Sequence, residues 1–203
     1  MTTTVVAAGA QVAMPHGVID DRRGTWGMLL FILTEAALFL MFFFTYYYLG
    51  HVSRGPWPPE PPKLMFALVM LAVLVSSSIV LHLGERAETE GRSGAARLFV
   101  GATVLMGIGF LVLQTLEYRN HLKTLTPMTD AYGSIFYTIT SFHAAHLMLG
   151  LFMLLYVLAL PQIGPGHKPP HRALHNASLY WHFVDLVWVL IVALLYVAPN
   201  IGR

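Results

Sequence analysis

Tyr180-Trp181-His182-Phe183-Val184-Asp185-Leu186-Val187-Trp188 lies near the start of the last long apolar run of the chain, Ser178 to Val197. At ~1.5 Å of rise per residue, that run is about long enough to cross the ~30 Å hydrocarbon core of a bilayer as a helix. His182 and Asp185, three positions apart, share one face of such a helix. An aspartate at the centre of a membrane helix costs roughly 2.5–3.5 kcal/mol on insertion scales. The sequence accepts that cost, for one of two reasons: a polar network that packs helices, or a path for protons or a ligand. The stretch therefore reads as a membrane helix carrying ionisable groups, and the rest of the chain follows the same pattern.

Composition points the same way. Charged residues make up only 11 % of the 203 positions and hydrophobic residues 56 %, a balance that excludes an ordinary soluble domain. The chain has no cysteine, which rules out disulfides, thiolate metal sites, iron–sulfur clusters and a cysteine nucleophile. Its small net charge of +2 is scattered over loops and forms no basic stripe, so nucleic acid is not an expected partner. Residues 1–21 have no basic segment ahead of the weakly apolar Val5 to Ala8; they read as a mobile tail at the membrane surface and not as a cleaved signal peptide.

The expected fold is all-α, a polytopic bundle over residues 22–203 with five membrane spans at about 24–49, 64–83, 97–116, 131–160 and 178–197. Trp26 and Tyr46-Tyr47-Tyr48 bracket the first span, as interfacial aromatics do. The proline-dense loop His51 to Pro62 precludes a helix. Gly84 to Ala96 reads as a charged loop. Ser76-Ser77-Ser78 in the second span, and Gly101, Gly107 and Gly109 in the third, are small residues that permit close helix approach. Lysine and arginine are biased toward the loops on the N-terminal side, which predicts a cytoplasmic N-terminus and an outer C-terminus.

Among the ionisable groups, Glu35 is the sharpest. It stands about nine residues past Trp26, ~13 Å into the membrane, with no basic partner nearby in sequence. Burial there disfavours the charged form. It is either a neutral carboxyl bonded to a neighbouring helix or a group with a part in proton or lipid chemistry. His143 and His146, again three apart, invite a metal reading, but di-iron membrane enzymes need several such histidine boxes and this chain has one. A haem held between His143 or His146 and His82 or His182 is a further reading, although His82 lies close to a membrane edge. Glu117 and Tyr118 close the third span and join the expected polar network of His143, His146, His182 and Asp185. No phosphate-binding loop, nucleophile elbow or triad is visible.

Four segments, in order, resemble one family, subunit III of the haem–copper terminal oxidases. They are Trp26-Gly27-Met28 through Thr34-Glu35-Ala36 to Phe39; Glu117-Tyr118 followed by Tyr132-Gly133-Ser134-Ile135-Phe136; Phe142-His143-Ala144-Ala145-His146 with Gly150; and Tyr180 to Trp188. The resemblance covers about Gly24 to Val197. Many members carry two further N-terminal helices, absent from this sequence as in the short bacterial forms, which leaves the lipid sites of the long forms open. Ser141 and Ala144 stand where the family often has glycine.

The resemblance implies a subunit of an aa3-type cytochrome c oxidase in a bacterial plasma membrane, with no catalytic centre and no haem, copper or other metal of its own. Haem and copper are expected in the partner subunits I and II. Direct packing on subunit I, bound phospholipid, and support of proton uptake and sustained turnover are implied as well. Glu35 matches the family glutamate that reacts with hydrophobic carbodiimides. Two alternatives stay within the resemblance: the matching subunit of a quinol oxidase, and a relative linked to nitric oxide reductase. A small b-type cytochrome and a proton-coupled transporter using Glu35 and Asp185 are the readings from other classes.

Overall fold

The computed structural model describes residues 17–53, 56–59, 64–122, 128, 130–163 and 171–201. Five long helices follow one another: α1 Gly17–Val52, α2 Leu64–Thr89, α3 Ser93–His121, α4 Ala131–Ile163 and α5 His171–Ile191. A π-helical segment, Val192–Val197, and the short α6, Ala198–Ile201, continue α5 to the end of the described chain. Each long helix contains a stretch apolar and long enough to cross a membrane. In hydrocarbon every backbone N–H and C=O must be satisfied within the segment, and a helix does so. The chain is a multi-pass membrane protein with the expected all-α bundle.

The helices run past the expected boundaries at several ends, α1 to Val52 and α3 to His121 among them. Residues 17–21, expected in the N-terminal tail, already belong to α1, while residues 1–16 lie outside the described part. The charged segment expected as a loop from Gly84 to Ala96 is mostly helix: α2 runs on to Thr89 and α3 begins at Ser93. The reason is local. Gly91 takes φ +75°, Arg92 N–H donates to the Ala87 carbonyl at 2.8 Å, and Gly91 N–H donates to the Glu88 carbonyl at 3.0 Å. This 6→1 and 5→2 pair closes a helix at a left-handed glycine within one turn. The last helix likewise starts seven residues before the expected span, at His171. α4 starts where Asp130 Oδ1 accepts the Gly133 N–H at 2.6 Å, an N-terminal cap.

α5 is the central helix and α1 the peripheral one: in an 18-residue apolar stretch of each span, 56 % of the residues are buried within the chain for the span that begins with α5, against 11 % for α1. The quoted stretch explains this. Tyr180, Trp181, Val184 and Trp188 are all fully buried. Trp181 touches three other helices at once. Its Nε1–H donates to Ser77 Oγ of α2 at 3.1 Å. A Cβ added at Gly107 of α3 would stand 2.7 Å from its ring, and one added at Gly150 of α4 would stand 3.0 Å from it. These two glycines are the recesses that receive the indole. Gly101 and Gly109 are not used this way, since added Cβ atoms there meet nothing within 4 Å.

Gly107→Ala is therefore expected to lower stability by about 1–3 kcal/mol through overpacking against a rigid buried ring. Gly101→Ala and Gly109→Ala should leave it unchanged or slightly raised. Thermal unfolding of the three detergent-solubilised variants distinguishes these outcomes.

Candidate functional site

The ionisable residues singled out in the sequence fall into four sets, each fixed by the helix that faces it. Glu35 of α1 meets His146 of α4, with Oε2 to Nε2 at 2.8 Å. The partner that Glu35 lacks in sequence arrives from 111 residues away. Nδ1 of the same imidazole lies 2.6 Å from the Phe142 carbonyl oxygen. A carbonyl only accepts, so Nδ1 carries a hydrogen and donates it. A neutral ring then leaves Nε2 as an acceptor, and Glu35 must be the protonated partner; otherwise the pair is imidazolium and carboxylate. Either way one proton sits between Oε2 and Nε2. Phe39 covers the imidazole edge-on at 5.0 Å. The Glu35 side chain keeps 21 % exposure, so it is shielded without being sealed.

His143, one turn before His146, points elsewhere. It is fully buried, stacked on Trp188 at 4.9 Å and edge-on to Phe110 at 5.7 Å. The two histidines have different neighbours, Glu35 at His146 and the Trp188 and Phe110 rings at His143. Among the described residues no group of three or more His, Asp or Glu side chains is arranged to hold a metal ion.

His182 and Asp185 do share a face, but Ser78 of α2 joins them. Ser78 Oγ donates to Asp185 Oδ2, and it lies 2.6 Å from His182 Nδ1. Ser178 Oγ lies 3.2 Å from His182 Nε2 on the other side of the ring. Sequence reading took Ser76-Ser77-Ser78 only as a seam of small residues. In the structure Ser77 holds Trp181 and Ser78 holds His182 and Asp185, while Ser76 bonds back to the Ala72 carbonyl at 2.6 Å. The offset of one position between Ser77 and Ser78 matches the one-position step from Trp181 to His182, a register visible only once α2 and α5 are side by side.

Glu117 and Tyr118, near the C-terminal end of α3, bond to the segment that follows α5 and to α4. Tyr196 donates from its hydroxyl to Glu117 Oε1 at 3.1 Å, and Tyr118 donates to Thr140 Oγ1 at 2.6 Å. Tyr196 lies in the π-helical segment, where Ala198 N–H reaches back five residues to the Ala193 carbonyl. A π turn rotates the residues beyond it relative to a plain helix, and such turns recur at functional positions. Nothing in the local sequence Val192 to Val197 signals it.

The shared proton makes a stability prediction. His146→Leu strands the Glu35 carboxyl and is expected to cost about 1–3 kcal/mol. Glu35→Gln keeps a donor facing Nε2 and should cost much less. A double-mutant cycle on thermal stability should show coupling between positions 35 and 146; independent effects would contradict a shared proton.

The family model for cytochrome c oxidase subunit III matches residues 5–199. The cytochrome c oxidase subunit 3 of Synechocystis sp. is 38 % identical over 186 residues, covering 89 % of this chain and 77 % of the relative. The probable cytochrome c oxidase subunit 3 of Nocardia farcinica is 32 % identical over 200 residues, covering 97 % of this chain and 98 % of the relative. The subunit 3 of Drosophila yakuba is 32 % identical over 182 residues, covering 84 % and 68 %. With a family match over nearly its whole length and five membrane-spanning helices that carry the motifs, the chain belongs to the cytochrome c oxidase subunit III family.

Proposed function

We propose that this chain is a non-catalytic subunit of a respiratory cytochrome c oxidase, packed directly on the subunit that reduces oxygen. Its role is to sustain proton uptake and turnover there and to hold phospholipid at its surface. The observation that carries this reading is the Glu35–His146 pair, a proton held between two helices in the hydrocarbon, next to a face still open to the lipid phase. The shared proton can shift between the carboxyl and the imidazole without changing the net charge of the pair, so the site holds it at small cost in the hydrocarbon.

The chain brings no haem or copper of its own in this reading; those belong to the partner subunits. The same reading includes direct contacts with subunit I and assembly with subunit II. The chain sits in a bacterial plasma membrane. The turn between α2 and α3, with Arg92 in it and Arg86 in the last turn of α2, faces the cytoplasm together with the N-terminus, and the C-terminus faces outward. Glu35, His182 and Asp185 then lie in the cytoplasmic half of the bilayer, the side from which protons are taken up.

Glu35→Gln separates the proton from the packing, because the amide preserves the hydrogen bond. The variant is expected to assemble normally and to show a modest change in initial oxidase rate. Activity should be lost several-fold sooner during continuous turnover, and labelling of this chain by a hydrophobic carbodiimide should disappear. Oxygen-electrode traces over successive turnovers test this. Initial and sustained rates both equal to the parent's would remove Glu35 from the mechanism.

A further inference from the structure

A second polar set crosses from the cytoplasm-facing end of α2 and α5 into the bundle, and neither the family reading nor the Glu35 pair accounts for it. At the membrane edge Glu85 of α2 lies between two imidazoles, with Oε2 3.8 Å from His82 Nδ1 and Oε1 3.4 Å from His175 Nδ1 of α5. These side chains are about half exposed, at 53 % and 48 %, so the cluster lies at the surface of the bundle. One turn deeper on the same face of α5 stands Ser178, 1 % exposed, then His182, Ser78 and Asp185, 6 % exposed. Asp185 Oδ1 is buried and has no hydrogen-bond partner. The groups facing His182 are thus His82, Glu85 and Ser78 from α2, and His175, Ser178 and Asp185 from its own helix.

The hydrogen bonds run in one direction. Ser78 has a single hydroxyl hydrogen, committed to Asp185 Oδ2, so its oxygen accepts from His182 Nδ1–H. With Nδ1 the donor, a neutral His182 has Nε2 as an acceptor, and Ser178 donates to it. Every member donates to the next, from Ser178 to the carboxylate.

We propose that Ser178, His182, Ser78 and Asp185 form a proton relay that loads one proton from the Glu85 cluster onto the Asp185 carboxylate. A proton arriving at Ser178 Oγ lets that hydroxyl pass its own hydrogen to His182 Nε2. The Nδ1 hydrogen moves to Ser78 Oγ, and the Ser78 hydrogen moves to Asp185 Oδ2. One proton enters and one carboxylate becomes a carboxylic acid; each O–H or N–H bond broken is replaced by one formed. The same atoms then hold the reversed chain, with Asp185 donating to Ser78, Ser78 to Nδ1 and Nε2–H to Ser178. The two states differ by one proton and by the tautomer of His182. The relay shares no residue with the Glu35–His146 pair, so failure of the turnover experiment and failure of this one are distinguishable.

The test is infrared difference spectroscopy on the intact oxidase complex, following hydrogen–deuterium exchange of a protonated carboxyl. A carboxylic C=O band that shifts in D2O and is lost in Asp185→Asn is expected. Its exchange should slow by about tenfold or more in Ser78→Ala and in Ser178→Ala, in line with the rate that positioned groups supply to proton transfer. Ser78→Thr, which keeps a hydroxyl, should restore it, and Ser76→Ala, outside the relay, should match the parent. If Ser78→Ala fails to assemble, Ser178→Ala cuts the same relay near its entrance and gives the deciding rate. No band assignable to Asp185, parental exchange in the relay variants, or equal slowing in Ser76→Ala would overturn the proposal.

Discussion

The contact on which the structure depends is Trp181 lodged between Gly107 and Gly150, with its Nε1–H on Ser77. One indole thereby fixes the distances from α5 to α2, α3 and α4 together. Between lipid-immersed helices there is little hydrophobic driving force, since acyl chains are as apolar as leucine. Close packing and interhelical hydrogen bonds must hold the bundle, and a large flat ring seated in backbone recesses supplies both. The neighbouring residues inherit their positions. With Trp181 seated, His182 is turned toward Ser78, Tyr180 stacks on Phe31 of α1 at 5.8 Å, and Trp188 meets Phe110 and His143 two turns on.

The polar groups are set into that frame in a way that limits their cost. Each hydrogen bond between membrane helices contributes only about 1 kcal/mol, less than the penalty for a charge left alone there. The chain answers by sharing protons. Glu35 and His146 divide one, and Asp185 draws on a hydroxyl that is itself supplied by an imidazole. Groups arranged like this keep a proton between neighbours instead of leaving a bare charge in the hydrocarbon. Tyr196 and Glu117 repeat the device near the other end, where the π turn places the tyrosine.

Much of this was legible in the sequence. Apolar runs interrupted by proline and charge gave five spans, and the four motif segments pointed to the family. Glu35, His143, His146, His182, Asp185, Glu117 and Tyr118 stood out because an ionisable or phenolic group in an apolar run is costly. What pairs with what was not legible. Glu35 and His146 are 111 positions apart, and no local pattern encodes that meeting. Ser78 looked like packing because a small residue that permits close approach and a hydroxyl that relays a bond are the same side chain. The charged segment around Glu88 looked like a loop because polarity was read as irregularity, whereas a helix leaving the hydrocarbon keeps its backbone bonds until a glycine such as Gly91 stops it. The third span showed the opposite error: three glycines looked alike, and only Gly107 faces a ring.

A cofactor-free oxidase subunit makes one requirement above all: redox colour must travel with its partners and not with this chain. Affinity purification from native membranes in mild detergent, with a reduced-minus-oxidised spectrum taken before and after the partners are stripped away, tests this directly. The expected result is haem a in the intact preparation, leaving with a larger subunit and absent from the isolated chain. Haem retained by the isolated chain would contradict this and make its membrane histidines ligands.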